Sequence, residues 1–99
     1  MIERYVFLRF NETHATPEGR AEAAARSREI LPTIPGVKTV RVGTPADDSS
    51  EGKWDLVLAI GFDALEDVEP YVVHPIHTTF VNDFLKPRVI VRKAWNFVI

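Results

Sequence analysis

The chain of 99 residues contains no cysteine. That excludes disulfides, zinc–thiolate sites and thiol nucleophiles together. No apolar run approaches the ~20 residues a membrane-spanning helix needs, so no membrane partner is expected. There is no basic stripe, and the formal net charge is −2, which argues against nucleic acid as a partner. No phosphate-cradling glycine loop occurs either. Gly19, Gly36, Gly43, Gly52 and Gly61 stand isolated, as turns or small strand positions do. The serine-rich DDSSEG at 47–52 lacks the glycines of a nucleophile elbow and has no base spaced to help it. No cofactor is expected on these grounds. The opening MIERYVFLRF carries Glu3, Arg4 and Arg9 and does not read as a signal peptide, so a cytoplasmic location is the expectation.

What remains is an ordinary globular composition, 45% hydrophobic and 26% charged. A chain of this length has room for one core, hence one domain over 1–99. Residues 2–10 alternate, with Ile2, Arg4, Val6, Leu8 and Phe10 on one face and Glu3, Tyr5, Phe7 and Arg9 on the other. Large apolar groups on both faces predict a strand covered on two sides for part of its length. Thr16-Pro17 is a helix start, and the helix is expected to run to about Leu31, before Pro32. Its inner face is read as Ala21, Ala24, Ala25, Ile30 and Leu31.

A second strand is predicted at 37–42, followed by a polar connection at 43–52. The third strand, 53–62, should turn Trp54, Leu56, Leu58, Ile60 and Phe62 one way and Asp55, Val57, Ala59 and Gly61 the other. Asp63 can cap a short helix at 64–73 with Leu65, Val68 and Val72 inward, bent or irregular at Pro70. Pro75 opens a further helical piece to about Leu85, closed by Pro87, and a last strand follows at 88–98. The order β-α-β-β-α-β is the ferredoxin-like pattern of the α+β class: a four-stranded antiparallel sheet with helices on one face. Its other face, carrying Tyr5, Phe7, Val57, Ala59 and alternate residues of the last strand, would be bare and apolar. Such a face signals an interface, so a two-fold homodimer with facing sheets is expected.

The segment YVVHPIHTTF at 71–80 holds two of the three histidines. On a helix from Pro75, the residues Phe80, Val81 and Phe84 follow His77 at helical spacing, so His77 points inward with them. Tyr71 borders the same inner face. His74 precedes Pro75 at a junction where first-turn N–H groups need partners. Three readings stand for this segment. His77 is a hydrogen-bonded core histidine and His74 a junction cap; or His77 and Tyr71 line an apolar pocket, where an imidazole can move a proton near neutral pH; or the histidines hold a metal. The metal reading lacks ligands, because nothing fixes Asp67 or Asp83 near His77 and His14 sits in a distant loop; no metal is expected. Arg4 shares the inner parity of its strand. It must snorkel at the rim, or anchor an anionic or carbonyl group at a pocket mouth.

The stretches RYVFLRF, IPGVKTVRVG and WDLVLAIGFDALEDVEPYVVHPIHTTF resemble the stress-responsive dimeric α/β-barrel (Dabb) domain family over nearly the whole chain. The most specific piece is the Tyr-x-x-His-Pro-x-His segment. The resemblance implies a ferredoxin-like subunit and a homodimer whose sheets close into an α/β barrel. It implies much less about activity, where two functions stand, the first resting on the inward-facing His77 among Phe80, Val81 and Phe84 beside an alanine-rich helix. One is a stress-responsive protein that binds a small apolar or polyketide-like molecule in a pocket walled by Arg4, Val6, Leu8, Leu56, Leu58, Phe80, Val81 and Phe84. The other is a cyclase, since one plant member closes a linear polyketide thioester by aldol condensation. Carried over, its catalytic pair falls on Tyr71, holding the carbonyl oxygen, and His77, the general base. Two further histidines of that member fall on Arg4 and Leu56 here, so charge and shape of the pocket differ.

Overall fold

In the computed structural model, which describes residues 1–99, four strands form one antiparallel sheet: β1 (Ile2–Phe10), β2 (Thr39–Gly43), β3 (Leu56–Phe62) and β4 (Val89–Val98). Their spatial order is β2-β3-β1-β4. The long central strand β1 pairs with β3 on one side and β4 on the other, so that Val6 faces both Leu58 and Ala94 across the ladders. Near Arg9 and Phe10 the β1–β4 register shifts by one residue, which bends the edge strand.

The helix α1 (Pro17–Ile30) begins where Thr16 accepts a hydrogen bond from the N–H of Gly19 at 3.0 Å, with Pro17 in the first turn. Its buried residues are Arg20, Ala23, Ala24 and Ser27, a stripe at helical spacing that continues into Leu31. Ala21 and Ala25, expected inward, face solvent. Four alanines broken only by Glu22 carry little hydrophobic phase information, and what fixes the rotation is Arg20. Its Nε donates to Asp55 at 2.9 Å and its Nη1 to Glu51 at 3.2 Å. Asp55 also accepts the N–H of Phe10 at 2.7 Å. That pairing reverses the expected alternation at the start of β3: Asp55 turns inward under α1, and Trp54 lies against Phe7 on the open face, ring centroids 5.5 Å apart.

A 3₁₀ turn at Leu31–Thr33 and a turn through Gly36, at φ 92°, lead into β2. Only glycine adopts that backbone readily. The polar connection holds one helical turn, α2 (Asp48–Glu51). After β3 comes a 3₁₀ turn at Leu65–Asp67 and then α3 (Val68–Val72). Asp67 braces the 3₁₀ turn by accepting the N–H of Ala64 at 3.3 Å, whereas Asp63, expected as the cap, pairs with Lys38. Val68 and Tyr71 face the sheet, Val72 is partly covered, and Leu65 is exposed. Pro70 lies in the first turn of α3, where it removes no helical hydrogen bond. The helix α4 (Pro75–Thr79) follows, and Phe80–Leu85 widen into a π-helical turn, closed by the Lys86 N–H bonding to the carbonyl of Val81 at 2.8 Å.

The core lies between the sheet and these helices, around Leu8, Phe10, Leu31, Ile34, Leu56, Ile60 and Phe62. On the opposite sheet face Tyr5, Phe7, Trp54 and Val57 are partly exposed, and Trp95 and Phe97 are each 50% exposed. Ala59, flanked by Tyr5 and Arg41, is buried. No helix is long and apolar enough to cross a membrane.

Candidate functional site

A cavity of about 520 Å³ opens between the sheet and the α3–α4 segment. Its floor is the inner face of β1, with Arg4, Val6 and Leu8, together with Leu58 of β3. Its outer wall is β4, with Val89, Ile90 and Arg92, and its roof carries Tyr71, Val72, His77, Phe80, Val81 and Leu85.

Tyr71 and His77 meet here because the chain turns sharply between them. His74 has an extended backbone, and its Nδ1 accepts the N–H of Ile76 at 3.1 Å, capping α4 just ahead of Pro75. That junction folds α4 back so that the imidazole of His77 rests on the ring of Tyr71, centroids 4.5 Å apart. Tyr71 packs edge-on against Phe62 behind it, at 5.2 Å. The Nδ1 of His77 donates to the carbonyl of Val72 at 2.9 Å, which fixes the ring and leaves Nε2 for other partners.

Burial lowers the pKa of His77. The Val72 hydrogen bond opposes this, and the charges of Arg4 and Arg92 add to it. His77 is therefore a neutral imidazole at physiological pH. Burial pushes the Tyr71 phenol well above its ordinary value, against the pull of the same two arginines, so it stays a protonated donor. Arg4 is half-buried, and its Nη1 donates to Asn96 at 3.1 Å. It faces the cavity rather than a remote rim. The arrangement can position a carbonyl or similar oxygen with the Tyr71 hydroxyl and take up a proton at His77.

Two expected wall residues lie elsewhere. Leu56 is 1% exposed in the packed core, beside the Asp55–Arg20 pair. Phe84 stacks on Phe80 at 5.4 Å, with the Arg88 guanidinium 3.7 Å from its ring centroid. The π turn explains Phe84. Its i→i+5 bonding adds about a residue to the turn, so the inward position after Val81 passes from Phe84 to Leu85. Sequence reasoning also missed Arg92 and the β4 wall. The available signal was parity: Trp95 and Phe97 on the open face put Arg92 on the inner one. No three His, Asp or Glu side chains converge as a metal site.

The family model described as Stress responsive A/B Barrel Domain (Dabb) matches residues 2–98. No protein among curated sequences matches. Solved structures share the fold. A Dabb family protein with a ferredoxin-like fold from Mesorhizobium loti is 20% identical, with a TM-score of 0.81, and the match covers 99% of this chain and 95% of that one. A dimeric ferredoxin-like protein of unknown function from Thermobifida fusca is 24% identical, with a TM-score of 0.78 and coverage of 99% and 90%. A hydroxynitrile lyase from Passiflora edulis is 17% identical, with a TM-score of 0.76 and coverage of 99% and 92%. Two further ferredoxin-like structures of unknown function are also named dimeric.

Proposed function

We propose, from the premise that the chain belongs to the stress responsive A/B barrel domain family, that it works as a homodimer whose helix-side cavities each receive a small apolar or polyketide-like molecule. The observation that carries this reading is the cavity of about 520 Å³ with mostly apolar walls and two polar ring groups, Tyr71 and His77, in its roof. Ligand pockets fall at roughly 300–1,000 Å³ with few polar groups among apolar ones. The dimer is supported by the exposed aromatic groups Trp95 and Phe97 on the open sheet face and by relatives named dimeric. Octanamide, a neutral apolar probe, should bind the native protein in calorimetry. Binding should vanish in Val81→Trp, which fills the cavity, while the dimer persists. A native protein that takes up no octanamide rejects the reading.

A second reading makes the same site a cyclase-like enzyme without a cofactor, and one observation favours it. His77 is held neutral with Nε2 free, directly against the Tyr71 ring. In an aldol-type closure, Nε2 would remove a proton from a carbon next to a carbonyl, and that carbon would bond to a second carbonyl carbon. The proton would then pass to the new alkoxide, while the Tyr71 hydroxyl held the carbonyl oxygen. A lyase shares the fold, so the fold is compatible with lyase chemistry. With a linear polyketide thioester as substrate, His77→Ala and Tyr71→Phe should each lower turnover without unfolding the dimer. Turnover that survives His77→Ala removes the proposed base.

A further inference from the structure

Resting on the pocket reading above, we infer that the ligand carries a carboxylate, seated between Arg4 of β1 and Arg92 of β4, with its apolar body against Leu58, Val81 and Leu85.

The cavity lining contains three cations, Arg4, Lys86 and Arg92, and no aspartate or glutamate. The chain has more acidic than basic side chains, 14 against 12, so composition does not explain the imbalance. Four other arginines are matched: Arg20 has Asp55 and Glu51, Arg26 has Glu29, Arg41 has Glu3 and Arg88 has Glu22. Arg9 and Arg28 have no ion pair, but they are exposed and lie outside the cavity. Arg4 and Arg92 belong to none of these ion pairs. Arg4 has the Asn96 amide as its hydrogen-bond partner, and Glu69, at the exposed side of α3, acts on it only through space. Burial and the neighbouring Arg92 both oppose the charge on Arg4.

A half-buried guanidinium facing a like charge is costly unless an anion joins them. The planar fork of arginine matches a carboxylate in geometry as well as charge. The same anion would sit beside the Tyr71 hydroxyl, since both arginines act on that group. The phenol would then add a third donor.

The test compares octanoate with octanamide, which share an apolar tail and differ in the charge of the head group. On the native dimer, calorimetry should show octanoate binding about tenfold tighter. Arg4→Met and Arg92→Met should each bring octanoate down to the affinity the same variant has for octanamide. If either variant misfolds, the native protein still decides the matter: raising sodium chloride from about 50 to about 500 mM should weaken octanoate and not octanamide. Equal affinity for the two probes on the native protein overturns the carboxylate inference while leaving the pocket reading intact. Failure of both probes to bind overturns both.

Discussion

At the scale of single residues, two polar side chains taken out of water carry testable consequences, the half-buried His77 and the buried Asp55. His77 loses proton affinity on folding because it leaves water, and two arginines face it. The unfolded chain therefore binds a proton at this site more readily than the folded one. Stability is full above the ordinary histidine value near 6.5 and declines as pH falls through it toward the lower folded value. Melting temperature should drop between about pH 7 and about pH 5, and His77→Gln should flatten that slope; an unchanged slope contradicts the assignment. Asp55 is a carboxylate held by Arg20 and the Phe10 amide in the core. Asp55→Ala leaves Arg20 buried without its closest partner. Chemical denaturation should report a loss of about 3–5 kcal/mol.

At the scale of elements, the helices show where pattern carries information and where it does not. Thr16 and Pro17 mark the start of α1 because capping is local chemistry. Thr16→Ala should cost about 1 kcal/mol, read from the same denaturation curves. The rotation of α1 was not legible, because alanine at 21, 23, 24 and 25 offers no contrast and a distant acid, Asp55, decides it. The α4 segment is the complementary case. Helical spacing from His77 correctly reaches Phe80 and Val81 and then misplaces Phe84, since no residue type announces a π turn. The turn widens in front of Leu85 and Lys86, which both reach the cavity. Deleting the exposed Asp83 should restore regular α-helical bonding and leave Leu85 inward, since Leu85 then stands at regular helical spacing from His77 and Val81. Octanamide affinity should stay within about twofold of native, measured by calorimetry on a variant whose circular dichroism stays helical; a tenfold loss refutes the phase given to the turn.

For the whole molecule, the succession of elements and the open face were legible because β1, β3 and β4 each separate apolar sets by alternation. Arg92 was not, because the wall it belongs to depends on which strand lies beside β1, and pairing is a long-range property. The face that carries Phe7, Trp54, Trp95 and Phe97 has the aromatic content of an interface. Sedimentation at micromolar concentration should show a dimer, and Trp95→Asp should return the 11.2 kDa monomer. A native protein that sediments as the monomer excludes the dimer.

The strand β1 serves two surfaces at once. Arg4, Val6 and Leu8 form the floor of the cavity, while Tyr5 and Phe7 belong to the open face, the proposed dimer surface. A substitution at either set leaves the other in place, so ligand preference and self-association can diverge independently among relatives. An inserted or deleted residue within β1 cannot be absorbed in this way. It would exchange the two sets along part of the strand, turning aromatic rings into the cavity and a guanidinium onto the seam between copies. Length variation in this family member should therefore collect in the 11–16 and 43–53 connections, and β1 should change only by replacement.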